Sequence, residues 1–367
     1  MSVGQLGDSL IYIVLPVSAE LFGLSILWVG VLLAANRIIR TFTYGLIAHI
    51  GERIGLRTLC VAATVTSVLS TAAYGLVEGP WWLLTARCIW GLSYAALLLA
   101  ALGYAAADRS RTGARVGVSR AIEQIGPLAA LTLGAWLAGA IGPKGAFLWM
   151  AVGTLAACGM ALALPRLPIS PPRSRRPLVI LPKPQRLDLL IFWMGAGADG
   201  VFMMTITLML SRYVSVELAM LTGGGIVGLR RVAEMFMGPI SGSVSDRFGV
   251  HRPMLVASTL MIVGLFLIGI GWLFSGAVAM VIARGALGTL LPAAVAKFAS
   301  GSVLTPLARN ATWRDIGAAA GPLLTGGLLL VATPEQLHLG IALGFAATLL
   351  WVVRWPVWRE SACSQLG

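Results

Sequence analysis

Residues Gly242-Ser-Val-Ser-Asp246-Arg247-Phe-Gly249-Val-His-Arg252 read as the end of one helix, a tight turn that needs glycine, and the basic start of the next helix. A looser version occurs at Ala48-His49-Ile50-Gly51-Glu52-Arg53-Ile54-Gly55-Leu56-Arg57, with alanine for the leading glycine and glutamate for the aspartate. An acidic side chain beside such a turn can pair with arginine or accept from the N-terminus of a neighbouring helix. Glu52, Arg53, Asp246 and Arg247 are therefore candidate gating contacts.

The two turns belong to a longer repeat. Gly7-Asp8 corresponds to Ala198-Asp199, and Asn36-Arg37 with Arg40 corresponds to Arg230-Arg231 with Glu234. Arg87 with Gly91 corresponds to Arg284 with Gly288, and Glu123-Gln124-Ile125-Gly126 to Arg314-Asp315-Ile316-Gly317. The separation between partners stays in the 190s and drifts by a few residues, as small changes in loop length would produce.

Hydrophobic residues make up 58% of the chain and charged ones 11%, with a mean hydropathy of +0.88. A soluble chain carries about 25% charged residues. A span needs about 20 apolar residues, so 367 residues accommodate ten to twelve of them, and the doubled pattern favours twelve. Apolar runs predict helices over 2–21, 28–50, 58–77, 81–107, 117–141 and 145–164, then over 187–213, 219–243, 253–274, 276–298, 309–332 and 336–358. The organisation expected is an all-α membrane protein: a six-helix bundle over 1–165, a basic proline-rich linker over 166–186, a second six-helix bundle over 187–358 and a tail over 359–367. Asp8 lies so near Met1 that the first helix reads as short, or as starting upstream. The Gly223-Gly224-Gly225 run is expected at the flexible start of the eighth helix.

The net charge of +13 would suggest nucleic acid in a soluble protein, but here the cations fall in short breaks on one side. Arg53, Arg57, Arg109, Arg111, Arg115, the linker, Arg247, Arg252 and Lys297 share that side, and the opposite loops hold little beyond Lys144 and Arg212. The positive-inside rule then places both termini and the linker in the cytoplasm and the chain in the inner (plasma) membrane. The four cysteines are scattered without metal or disulfide spacing, so no metal site and no cofactor is expected. No basic n-region of a cleaved signal precedes the first apolar run.

The turn at 242–252 resembles the loop signature of the major facilitator superfamily, repeated between that family's second and third and its eighth and ninth helices. Arg87-Cys-Ile-Trp-Gly91 is similar to the family's fourth-helix arginine motif, which it associates with proton coupling. Gly317-Ala-Ala-Ala-Gly321-Pro322-Leu-Leu-Thr-Gly326-Gly327 resembles the glycine–proline motif of its exporters, although that motif belongs on helix five, where only Gly126-Pro127 remains. Gly7-Asp8-Ser-Leu-Ile-Tyr-Ile-Val-Leu-Pro16 resembles the first helix of its drug and proton antiporters. The resemblance implies two six-helix bundles, alternating access and a solute site between them.

A charge at the bilayer centre costs at least about 2.5–3.5 kcal/mol, so deep ionisable groups face a cavity or a partner. Helix rise places Arg37 and Arg231 roughly 21 Å and Asp199 about 18 Å from the turns, near the middle of a core about 30 Å thick. Arg37 and Arg40 share a face, as do Arg231 and Glu234; Asp8 and Asp199 are the acids expected to meet these arginines. Arg87 and Arg284 lie about 9–12 Å from the helix ends, where snorkelling is the alternative to a coupling role. Glu123, Asp315 and Arg230 complete the set of substrate or proton-coupling candidates.

No Gly-x-x-x-x-Gly-Lys-Ser/Thr phosphate loop, His-Glu-x-x-His motif or serine nucleophile elbow occurs, so an enzyme is not indicated. The reading is a monomeric secondary transporter of a small solute by alternating access, with proton-coupled efflux implied by the resemblance. Uptake or exchange of an organic anion is the alternative that the deep arginines favour. A membrane sensor or lipid-handling protein that transports nothing is a third class. Its expected partners are a small-molecule solute, protons and membrane lipids.

Overall fold

The computed structural model describes residues 1–167, 181–299 and 301–354. Most of the expected linker and all of the expected tail lie outside the described residues. The described part is helical throughout. The first six spans are α1 (Leu6–Val17), α2 (Ile26–Ile54), α3 (Leu56–Leu76), α4 (Pro80–Ala105), α5 with α6 (Thr112–Ala129 and Ala135–Ile141) and α7 (Pro143–Leu162). Six more follow: α8 with α9 (Arg186–Met194 and Phe202–Leu210), α10 (Val216–Phe248), α11 (His251–Gly269), α12 (Leu273–Phe298), α13 (Leu304–Leu328) and α14 (Pro334–Val353). Two spans are interrupted by π-helical turns, Ala130–Gly134 after Pro127 and Gly195–Val201 around Asp199.

Nine helical stretches among the described residues are long and apolar enough to cross a membrane. The other three spans are α1, 12 residues long but flanked by single 3-10 turns, α10, which carries Arg230, Arg231 and Glu234, and α13, which carries Arg314 and Asp315. Bulky side chains such as Trp81, Trp82, Trp136 and Trp272 are more than 60% exposed, which a lipid solvent tolerates and water would not.

Gly55 and Gly249 end α2 and α10 with nearly identical backbones, φ 83°, ψ 154° and φ 80°, ψ 157°. A side chain rarely adopts that conformation, so the repeated glycine is a stereochemical requirement. The eighth span starts earlier than expected. The Ser215 hydroxyl accepts from the Leu218 N–H and nucleates α10 at Val216, so the glycine run lies inside the helix.

The described residues form two compact units: 1–104 with 122–167, 181 and 301–308, and 105–121 with 182–299 and 309–354. In the first, Phe147 takes the edges of Phe22 and Tyr74 at centroid distances of 6.1 and 5.4 Å, amid buried Leu10, Ile11 and Leu15. In the second, α12 is the most enclosed helix. Its Gly276 faces Gly264 of α11 so closely that a methyl on Gly264 would stand 2.7 Å from the Met280 nitrogen. His338 is fully buried: its Nδ1 meets the Pro334 carbonyl at 2.7 Å and its ring packs edge-to-face with Phe202.

Candidate functional site

In the first unit, Asp8 sits on Arg87. The guanidinium is fully buried and donates to Asp8, to the Leu32 carbonyl at 3.1 Å and to the Tyr12 hydroxyl at 2.9 Å. Asn36 adds an N–H to Asp8 Oδ1 at 3.3 Å. Arg87 therefore does not snorkel; a guanidinium with an acceptor on each of its three nitrogens and a carboxylate counter-charge has no reason to.

The second unit repeats this arrangement. Arg284 donates Nε and Nη2 to the two oxygens of Asp199, both at 3.0 Å, and is only 9% exposed. Arg230, the repeat partner of Asn36, reaches Asp199 at 3.0 Å and Glu234 at 3.1 Å. Each unit thus joins a first-helix aspartate to a fourth-helix arginine, with a second-helix side chain as the third member. That member is neutral in one unit and cationic in the other, and Glu234 offsets the difference.

The expectation that Arg37 and Arg40 would meet Asp8 is corrected. Arg40 lies over the Tyr94 ring at 4.2 Å, while the helix rotation that turns Asn36 toward Asp8 leaves Arg37 partly exposed. Arg231 is also partly exposed. Glu123 is buried and accepts from Gln5 at 3.3 Å and Tyr94 at 3.5 Å. Asp315 is held by the adjacent Arg314 at 3.0 Å.

A small cavity in the second unit borders this cluster. It is lined by Arg120, Arg284 and Arg314, with Glu234, Ile191, Met194, Gly285 and Gly288. Three guanidiniums face one carboxylate there. Arg120 was not among the candidates from sequence; its repeat position falls on no landmark, and only the fold brings it here.

Two further contacts involve the paired turns. Asp246 accepts from the Gly113 and Ala114 N–H groups at 2.9 and 2.7 Å, capping the N-terminus of α5, and pairs with Lys297 at 2.9 Å. Glu52 accepts from the Ser302 and Thr305 hydroxyls, the latter at 3.0 Å, at the N-terminus of α13. Arg247 lies over the Phe248 ring at 5.2 Å, and Arg53 follows Glu52 in the last turn of α2.

Glycines set two close helix crossings, of which sequence reading missed the first. Gly113 and Gly117 of α5 meet Gly242 and Gly238 of α10; a methyl on Gly242 would stand 2.1 Å from the Gly113 oxygen. Both segments are Gly-x-x-x-Gly, the signal that was available. Gly317 and Gly321 of α13 lie against Phe192 and Gly200, so the exporter-like motif packs α13 onto the π-turn that carries Asp199. A methyl on Gly326 or Gly327 would meet nothing within 4 Å.

The family model described as Major Facilitator Superfamily matches residues 2–229, more than half of the chain. The chain belongs to the major facilitator superfamily. Among solved structures it is similar to the Escherichia coli fucose:proton symporter FucP, at 11% identity and a TM-score of 0.73 over 95% of both chains. It is also similar to the human organic anion transporter MFSD10 (17% identity, TM-score 0.72, over 95% of this chain and 97% of that one). A third likeness is to the proton:xylose symporter XylE with bound 6-bromo-6-deoxy-D-glucose (14% identity, TM-score 0.73, over 96% and 94%). At these identities the likenesses establish the fold. No curated protein sequence matches. As a major facilitator the chain is a multi-pass membrane transporter and not an enzyme.

Proposed function

We propose that this major facilitator moves a small solute by alternating access, coupled to protons, in the direction of efflux. The observation that carries the coupling is the repeated carboxylate–guanidinium pair, Asp8 on Arg87 and Asp199 on Arg284. An adjacent cation keeps a carboxylate ionised, and solute that competes for the cation lets the carboxylate take a proton. Asp199 and Glu234 share Arg284 and Arg230 beside the cavity, so a ligand there acts directly on their charge balance. Glu123, between Gln5 and Tyr94, is the third carboxylate in this scheme. The efflux direction rests on the antiporter-like first helix and on the Gly317–Gly327 motif.

Asp246 at the α5 N-terminus and Glu52 at the α13 N-terminus serve as latches that hold one conformation, in line with the turns being gating elements. The two solitary cations expected on the outer side are each neutralised, Lys144 by Glu78 and Arg212 by Glu335 at 2.7 Å, which supports cytoplasmic termini under the positive-inside rule.

Exchange of an organic anion is the second reading, favoured by the three guanidiniums of the cavity. The test begins with a thermal-shift screen of purified protein against drug-like cations, organic acids and chelators, since ligands of the folded state raise its stability. The stabilising solute is then followed in sealed proteoliposomes. Flux accelerated by an imposed pH gradient, and deaf to that gradient in Asp199→Asn, supports proton coupling. Flux of a carboxylate that needs no pH gradient supports anion exchange instead. Unchanged coupled flux in Asp199→Asn and Asp8→Asn would overturn the proposed role of the pairs.

A further inference from the structure

The second unit carries an apolar groove of about 370 Å³ on the surface formed by α10, α11 and α12. Ile240, Val244 and Phe248 of α10, Val256 and Leu260 of α11 and Leu290 of α12 line it. The α10 wall runs from Met237 to Phe248, roughly 17 Å at the helical rise per residue. Its one hydroxyl, on Ser241, already donates to the Gly238 carbonyl at 3.2 Å. The walls therefore offer a ligand no free polar group, and they fit a hydrocarbon chain. Val256 is 69% exposed and Ile240 53%, so the groove opens to whatever surrounds the helices, which in a membrane protein is lipid.

The groove has one charged lining residue, and it stands at the end. Arg252 follows the Gly249 turn, is exposed, and makes no ion pair among the described residues; Arg247, also exposed, lies against the groove residue Phe248. The carboxylate that precedes Arg247 in the chain, Asp246, is already engaged by Lys297 and two backbone N–H groups. A long apolar trough with two uncompensated guanidiniums at its mouth matches an acyl chain beneath an anionic headgroup.

We infer that this groove is a binding site for an anionic phospholipid, one acyl chain lying along α10 and the phosphate on Arg252 and Arg247. Bound there, the lipid joins α10 to α11 across the turn whose Asp246 caps α5. Occupancy therefore bears on the same turn as the latch while leaving the buried arginine clusters untouched.

The test uses the full chain in detergent, with dioleoyl phosphatidylglycerol, dioleoyl phosphatidylcholine or glycerol phosphate added singly, read by native mass spectrometry and thermal shift. Phosphatidylglycerol should be retained at least about fivefold over phosphatidylcholine, and glycerol phosphate should give no shift. Each of Arg252→Gln and Arg247→Gln should reduce the preference by about fivefold, the weight of one cation near an anionic headgroup. Arg252→Lys should keep most of it, and Val256→Trp, which fills the groove, should reduce retention of both lipids. Arg252 has no ion pair among the described residues to lose, so Arg252→Gln alone decides the matter if Arg247→Gln does not fold. Equal retention of the two lipids, a preference indifferent to Arg252→Gln, a shift with glycerol phosphate equal to the lipid's, or a dimer lost in Val256→Trp would overturn the assignment.

Discussion

Arg284 grips both carboxylate oxygens of Asp199, Nε on Oδ1 and Nη2 on Oδ2, each at 3.0 Å. The fork matches the carboxylate plane, a geometry that lysine cannot reproduce. An aspartate–arginine pair recurs between Asp8 and Arg87, there through Nη1 on Oδ1 alone, so the pairing is common to both units and the fork belongs to the second. The pairing is unlike an isolated surface ion pair, since both arginines are buried.

Arg87→Ala leaves Asp8 with only Asn36 and no counter-charge. Removing one partner of a buried pair costs about 3–5 kcal/mol, so the variant should melt well below the wild type in detergent. The double variant Arg87→Gln with Asp8→Asn should recover much of that loss, and a thermal-melt cycle measures the coupling. Arg87→Lys should fold but lose transport.

Arg230→Asn recreates in the second unit what Asn36 does in the first. One charged hydrogen bond to Asp199 and one to Glu234 are weakened while the Arg284 fork remains, so the cost should be about 1.5–3 kcal/mol, less than for Arg284→Ala. If the second cation sets solute charge preference, competition by small carboxylates should fall in Arg230→Asn, with the melting temperature lowered by less than in Arg284→Ala.

Asp246→Ala uncaps α5. Loss of a helix cap is worth about 0.5–2 kcal/mol, and the Gly113 and Ala114 amides should exchange with solvent faster by roughly twofold to thirtyfold. Asp246→Asn, which keeps an acceptor but loses Lys297, should fall between. Hydrogen exchange resolved to this segment reads both.

Gly321→Ala places a methyl 2.4 Å from the Gly200 Cα and should destabilise by about 1–3 kcal/mol as α13 is pushed off the π-turn. Gly326→Ala, five residues along the same helix, meets nothing within 4 Å and should leave stability unchanged. A thermal melt of the pair separates packing glycines from those that are merely present.

Much of this molecule is legible in its chain. Hydropathy marks the spans because burial in lipid depends on composition alone, and the two Gly-terminated turns are visible because positive φ is a property of one residue. The repeat correctly matched Asp8 with Asp199 and Arg87 with Arg284. It assigned their partners less well, expecting Arg37 and Arg40 where the structure has Arg87 and Asn36.

The difference is one of range. Each residue turns a helix by about 100°, so a boundary error of two residues moves a side chain to the opposite face, and the identity of a buried partner is lost in that error. Which arginine meets which aspartate, which glycines touch, and that Arg120, Arg284 and Arg314 share a cavity depend on helix rotation and crossing. Those are settled only when the helices pack, because the contacts that choose them join residues tens to hundreds of positions apart.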